Sequence, residues 1–185
     1  MRRTSVGVVR GRLQVRAVLG AVCSVVLLAG CGGAVSGESA PAGPAPGDPV
    51  FSPCDDIPDD AIREVGMDPA TKSRDILDVH QPGWNICGWN SDQYSLSVFS
   101  TVYTFDDLRN NSEYEDFEAI QAGDRDALAF RSTAYPASQR SYLALRSAEG
   151  MVMVVVTDWD EDPAKQAPAR VVLEATRTLL PHLPQ

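Results

Sequence analysis

Histidine, lysine and cysteine are scarce in this 185-residue chain, and each shortage closes off a kind of chemistry. The two histidines, His80 and His182, stand apart from any G-x-S-x-G elbow, so no nucleophile with its general base can be assembled from the sequence. The four cysteines include no C-x-x-C, which removes a redox pair, and scattered histidines do not complete a zinc site with two of them. Lysine occurs twice against fourteen arginines, and no internal repeat is present. The strongest apolar run, Ala17 to Leu28, falls short of the about 20 residues that a membrane-spanning helix needs.

That short run has another use. Arg2, Arg3, Arg10, Arg12 and Arg16 precede it as a positive n-region, and it closes on Leu28-Ala29-Gly30-Cys31, which resembles a bacterial lipobox. Thr4, Ser5 and Gly7 stand where a twin-arginine signal wants apolar residues, so Arg2-Arg3 reads as ordinary n-region charge. The expectation is that residues 1–30 are a discarded lipoprotein signal peptide. Cys31 then becomes the lipidated first residue of a protein held on the extracytoplasmic face of the cell membrane.

No acidic residue lies before Cys31, so the mature chain has eleven basic against twenty-five acidic residues, a net charge of −14. Nucleic acid is excluded as a partner, because binding it takes clustered cations that replace counterions on phosphates. An anionic membrane surface would also repel this domain, which leaves the acyl chain to hold it. The acidity keeps an exported domain soluble.

After Cys31, residues 32–49 are almost wholly Gly, Ala, Ser and Pro and cannot bury enough apolar area to offset their ordering entropy. Residues 31–50 therefore read as lipidated cysteine plus disordered linker, spanning roughly 25 Å if flexible. Residues 51–185 remain as one domain large enough for a single core. Cys23 leaves with the signal and Cys31 is taken by lipid. Cys54 and Cys87 are then the one pair available, and in an oxidising compartment they form a disulfide worth roughly 3 to 4 kcal/mol by loop closure.

The expected architecture is α+β: an antiparallel sheet with a short N-terminal helix and a longer C-terminal helix packed on it. Asp59 to Val65 has acidic residues at its start and Gly66 just past its end, the cap chemistry of a short helix. Met67 to Gly83 reads as a long polar loop. From Asn85 the pattern turns strand-like, with Tyr94, Leu96, Val98 and Val102 alternating with polar residues. Thr104 with Asp107 resembles a capping box for a helix from Phe105 to about Asn110. Phe117 to Gln121 and Ala127 to Ser132 flank Gly123-Asp124, and Ser141 to Ser147 joins Met151 to Thr157 through Glu149-Gly150. Met151 to Val156 is apolar on both faces, which predicts a central strand covered by helix on one side and by loops or further structure on the other. The last helix should bury Val172, Ala175 and Leu179 and turn Arg170 and Arg177 to water, with Pro168 in its first turn and Pro181 helping to stop it.

Taken together, Pro53-Cys54, the acidic helix ending at Gly66, Cys87-Gly88-Trp89, the hairpin around Gly123 and the terminal Leu183-Pro184 resemble a family of actinobacterial lipoproteins built on a domain of unknown function. The resemblance runs over nearly all of Phe51 to Gln185. It implies the location and fold above and supplies no activity and no catalytic residues. Members often carry a second cysteine pair. Here those stretches read Ser141-Tyr142 and Asp162-Pro163-Ala164, so that bridge is missing from both ends.

Candidate chemistry is thin. Asp158, Asp160 and Asp162 open like a calcium loop, but Pro163 replaces the glycine of its sixth position and Ala169 the glutamate of its twelfth. The run reads better as an acidic helix start, as do Asp55-Asp56 and Asp59-Asp60. Trp89 beside Cys87 reads as packing in preference to a binding platform, and Trp84, whose neighbours Pro82-Gly83 suggest a loop edge, is open between the two. Asn110-Asn111-Ser112 matches a glycosylation sequon, a pattern without meaning in a bacterial product. With no catalytic, metal or cofactor residues to name, the expectation is a non-enzymatic envelope domain, a protein-interaction module first and a lipid or small-molecule binder as the alternative.

Overall fold

The computed structural model describes residues 47–160 and 166–185. The segment expected to be a signal peptide, Cys31 and most of the expected linker lie outside the described residues, as does Asp162. The elements run α1 (Pro53–Asp56), α2 (Asp59–Glu64), β1 (Asp68–Arg74), β2 (Trp84–Asn90), β3 (Ser95–Thr101), α3 (Phe105–Asn110), β4 (Tyr114–Ala122), β5 (Arg125–Ser132), β6 (Arg140–Ser147), β7 (Gly150–Thr157) and α4 (Pro168–Leu179), followed by a 3-10 turn, Leu180–His182. All seven strands form one antiparallel sheet in the order β1-β2-β3-β7-β6-β5-β4. The α+β expectation holds, with sheet as the larger part. Among the described residues no helix is long and apolar enough to cross a membrane.

The sheet consists of two meanders. One is β1-β2-β3; the chain then crosses through α3 to the far edge and returns as β4-β5-β6-β7, so that the last strand pairs with β3 from Ser95↔Thr157 to Thr101↔Met151. β7 is therefore central, as its two-faced apolar sequence requires. Val152, Val154 and Val156 face a core that includes Cys87, Trp89, Leu96, Val98, Leu143 and Leu145 and is closed by α1, α2 and α4 through Cys54, Ile62, Val172, Ala175 and Leu179. Met151, Met153 and Val155 face a second core with Leu128, Phe130, Tyr142 and Ala144, over which α3 lays Phe105 and Leu108.

Three local expectations change. The polar loop from Met67 to Gly83 contains β1, an outer strand bonded to β2 on one side and carrying a bulge between Asp68 and Ser73. An outer strand needs partners on one side only, so Thr71, Lys72 and Ser73 can stay polar without spoiling a core, and hydrophobic alternation has nothing to report. β4 begins at Tyr114, ahead of the expected Phe117, because a bulge between Glu115 and Glu118 with Asp116 at φ 54° breaks the period of two. The N-terminal helix is preceded by a further turn, α1, which Pro53 starts.

Gly150 is required by close approach. At φ 153°, a Cβ there would lie 2.3 Å from the carbonyl oxygen of Thr101 and 2.8 Å from that of Tyr103, so the β6–β7 turn fits under the end of β3 only without a side chain. The linker's last residues are fastened to the domain. Asp48 accepts hydrogen bonds from the Gly83 amide at 3.0 Å, and Pro49 gives its carbonyl to Asn85 at 2.8 Å.

Cys54 and Cys87 are disulfide-bonded, tying α1 to β2 on the helix-covered face. The segment between them, over a sequence separation of 33, includes β1 and the long turn after it, which bury little apolar surface. Cys87→Ser should therefore lower unfolding free energy by about 2–5 kcal/mol. Urea denaturation under non-reducing conditions checks this, and wild type treated with reductant should fall to the same midpoint.

Candidate functional site

Because α3 has only six residues, it covers part of the sheet face it crosses and leaves a cleft beside itself. The cleft holds about 480 Å³ and is lined by Trp84, Tyr103, Asp107, Leu108, Asn110, Asn111, Tyr114 and Met151. Its volume lies in the range of small-molecule sites, roughly 300–1,000 Å³. Two aromatic groups form opposite walls. Trp84 packs edge-on to Phe99 at 6.2 Å and tilted against Tyr103 at 5.6 Å between ring centroids. Across the cleft Tyr114 meets Phe130 at 5.1 Å and Tyr142 at 5.7 Å, both edge to face. Met151 lies between them with an adaptable thioether side chain.

The walls are held by the ends of elements. Thr101 donates its hydroxyl to the Gly83 carbonyl at 2.8 Å and accepts from the Tyr103 amide at 3.2 Å, which fixes Trp84 and Tyr103 on either side of one buried threonine. The expected capping box is present: Asp107 accepts from the Thr104 amide at 2.7 Å, and the Asp107 amide donates to Thr104 Oγ1 at 3.3 Å. It starts α3 at the turn that seats Phe105 and Leu108. At the other end the Glu113 amide donates to Asn111 Oδ1 at 2.9 Å and the Tyr114 amide to the Asn111 carbonyl at 3.1 Å, so Asn111 turns the chain into β4.

Two groups of the lining have shifted pKa values, each with a local cause. Burial, aided by Tyr142 and Glu113, pushes the Tyr114 phenol above its usual range, which keeps it neutral. Hydrogen bonds from the Thr104 amide and hydroxyl hold the Asp107 carboxyl below the usual carboxylate range, so its charge is committed to the helix cap. No histidine, cysteine, serine or lysine lines the cleft. Both shifts, Asp107 downward and Tyr114 upward, lead away from neutral pH, where a proton-transfer group works best.

The other candidates sit apart. His80 lies between the carboxylates of Asp48, at 3.1 Å, and Asp75, at 3.8 Å, in the β1–β2 connection, while His182 ends the 3-10 turn. Asp158 is buried, and one of its carboxylate oxygens accepts from the Asp160 amide at 3.1 Å. Among the described residues no group of three or more His, Cys, Asp or Glu side chains could hold a metal ion. Trp89 is a core residue, as its place beside Cys87 implied, and its buried Nε1 has no hydrogen-bond partner among the described residues. Trp84 is part of the cleft. Tyr103, Tyr114, Met151 and the Asn110-Asn111 pair were legible only as fragments of elements, because five separate segments bring the lining together.

A model of a family described as protein of unknown function (DUF3558) matches residues 26–179, which takes in every strand and reaches the end of α4. No curated protein and no solved structure matches the chain.

Thr104→Ala removes one half of the cap reciprocity and should cost about 1 kcal/mol in chemical denaturation at neutral pH. Asp107 has a depressed folded pKa, so its contribution is present in full above the unfolded value of about 3.9 and is lost as pH falls through the folded value. Asp107→Asn should thus be less stable than wild type at pH 7. The two denaturation midpoints should converge in acid.

Proposed function

The chain belongs to the DUF3558 family of proteins of unknown function, and from that premise we propose that it is a lipid-anchored binding domain of an actinobacterial cell envelope. It holds an apolar small molecule in the cleft beside α3 and does not transform it. The observation that carries this reading is the cleft itself: two aromatic walls around a methionine, with a rim of Asp107, Asn110 and Asn111 able to orient a polar end. The lipobox-like Leu28-Ala29-Gly30-Cys31 supports the anchor at Cys31 and the extracytoplasmic address. The absence of poised acid–base groups from the lining argues for binding over catalysis.

Native mass spectrometry of protein purified from its own host tests both parts. The expected spectrum has acyl mass on Cys31 and a non-covalent small-molecule adduct. Trp84→Ala should weaken retention of that adduct roughly tenfold, the loss of an aromatic wall worth somewhat over 1 kcal/mol. A clean apo mass removes the ligand reading, and a soluble chain without acyl mass removes the anchor.

A second reading, a protein-interaction module, rests on a different surface. Trp159 is 58% exposed and donates from Nε1 to Ser95 Oγ at 3.1 Å, while the Arg140 guanidinium lies 3.8 Å from the Tyr135 ring centroid and 5.4 Å from that of Trp159. Trp, Tyr and Arg are the residues that dominate interface energetics, and the net charge of −14 after Cys31 selects a basic partner. Crosslinking in intact cells should recover a partner that Trp159→Ala loses. Recovery of no reproducible partner counts against this reading.

A further inference from the structure

We propose that the tip of the β1–β2 connection rests on the lipid bilayer, with Ile76, Leu77 and Val79 in contact with the boundary between headgroups and acyl chains. The proposal depends on the anchor at Cys31 inferred above and adds a second, non-covalent point of attachment that sets how the domain faces the membrane.

Exposure locates the tip. Five large hydrophobic side chains are exposed among the described residues: Val50 at 84%, Ile76 at 46%, Leu77 at 89%, Val79 at 61% and Trp159. Asp48 is held at 3.1 Å by His80 and at 3.0 Å by the Gly83 amide, and both partners lie in the β1–β2 connection. Ile76, Leu77 and Val79 sit together in one tight turn, whereas Val50 lies apart, its amide bonded to Glu149 at 2.8 Å; exposed apolar side chains clustered in a turn mark a surface that is covered by something else.

The backbone there runs against its own sequence. Ile76 and Val79 are bridged, with the Val79 amide donating to the Ile76 carbonyl at 3.0 Å, so Leu77 and Asp78 are the central residues of a two-residue hairpin turn. Both are left-handed, at φ 55° and 59°. Asn, Asp and Gly suit such positions; leucine suits neither the left-handed backbone nor the exposure to water. A residue that breaks the steric rule and the burial rule together is one whose position serves something outside the fold.

A bilayer is the occupant that the chain itself supplies. Sixteen residues separate Cys31 from Asp48, and a Gly/Ser-type linker of that length would average about 20–24 Å end to end. The tip sits where that tether joins the domain, so the acyl anchor keeps it at high effective concentration next to lipid. Asp75 and Asp78 flank the apolar side chains, so the contact is apolar in character and favours a zwitterionic surface over an anionic one.

The full chain, lipidated in a bacterial host and reconstituted in phosphatidylcholine vesicles with brominated acyl chains, tests this. The emission gained by Leu77→Trp should be quenched by brominated lipid at least about twofold more than that gained by Asp92→Trp, at the β2–β3 turn on the opposite end of the sheet. Equal quenching of the two, with acyl mass present and the chain floating with vesicles, overturns the proposal. A chain that lacks acyl mass and does not float overturns the anchor reading and this inference with it. Leu77→Asn, which relieves the backbone, should hold or raise the melting temperature; a clear fall would make Leu77 a structural residue and also overturn the proposal.

Discussion

The pairing of β3 with β7 joins two separate meanders into one sheet, and the rest of the fold answers to it. Seven residue pairs from Ser95↔Thr157 to Thr101↔Met151 place a strand with apolar side chains on both faces at the centre. A strand of that kind must be dry on both sides. One face meets the requirement with α4, α1 and α2, and the disulfide at Cys54 and Cys87 holds α1 there. For the other face only the connection from β3 to β4 is available, and α3 is what that connection can provide.

The cleft follows from a mismatch of lengths. A helix of six residues is about 9 Å long, whereas β7 with eight residues extends about 27 Å. Phe105 and Leu108 can cover one end of Met151 and Met153, and the remainder falls to large rings placed on the strands themselves. Phe130 and Tyr142 stack at 5.1 Å and Phe117 stacks on Phe130 at 5.7 Å, filling by aromatic breadth what a longer helix would have covered. Where the two aromatic groups face each other without meeting, the space beside Met151 stays open.

Much of the fold was readable wherever a local rule and the tertiary demand coincide. The two hairpins of the second meander, the two-faced β7, the Thr104–Asp107 cap, the buried stripe of α4 and the Cys54–Cys87 pair each have a cause within a few residues of themselves or in the count of available partners. β1 was not readable, because a polar outer strand has no buried face and so leaves no periodic trace. The left-handed Asp116 hid the start of β4 by shifting the alternation one step. The cleft was the least legible part. Trp84, Tyr103, Tyr114 and Met151 come from separate elements, and what makes them neighbours is the β3–β7 register, which no local spacing encodes.

Both outer strands of the sheet are interrupted: β1 between Asp68 and Ser73, β4 between Glu115 and Glu118, where Asp116 pairs with Arg131. A straight outer strand exposes a row of unpaired amides and carbonyls that another copy can extend, and bulges with charged residues deny it that template. The hazard grows when copies share one plane, since confinement to a surface raises the rate of sideways encounter far above that in free solution. In this open-edged sheet neither outer strand offers a second copy a straight, uncharged edge to extend.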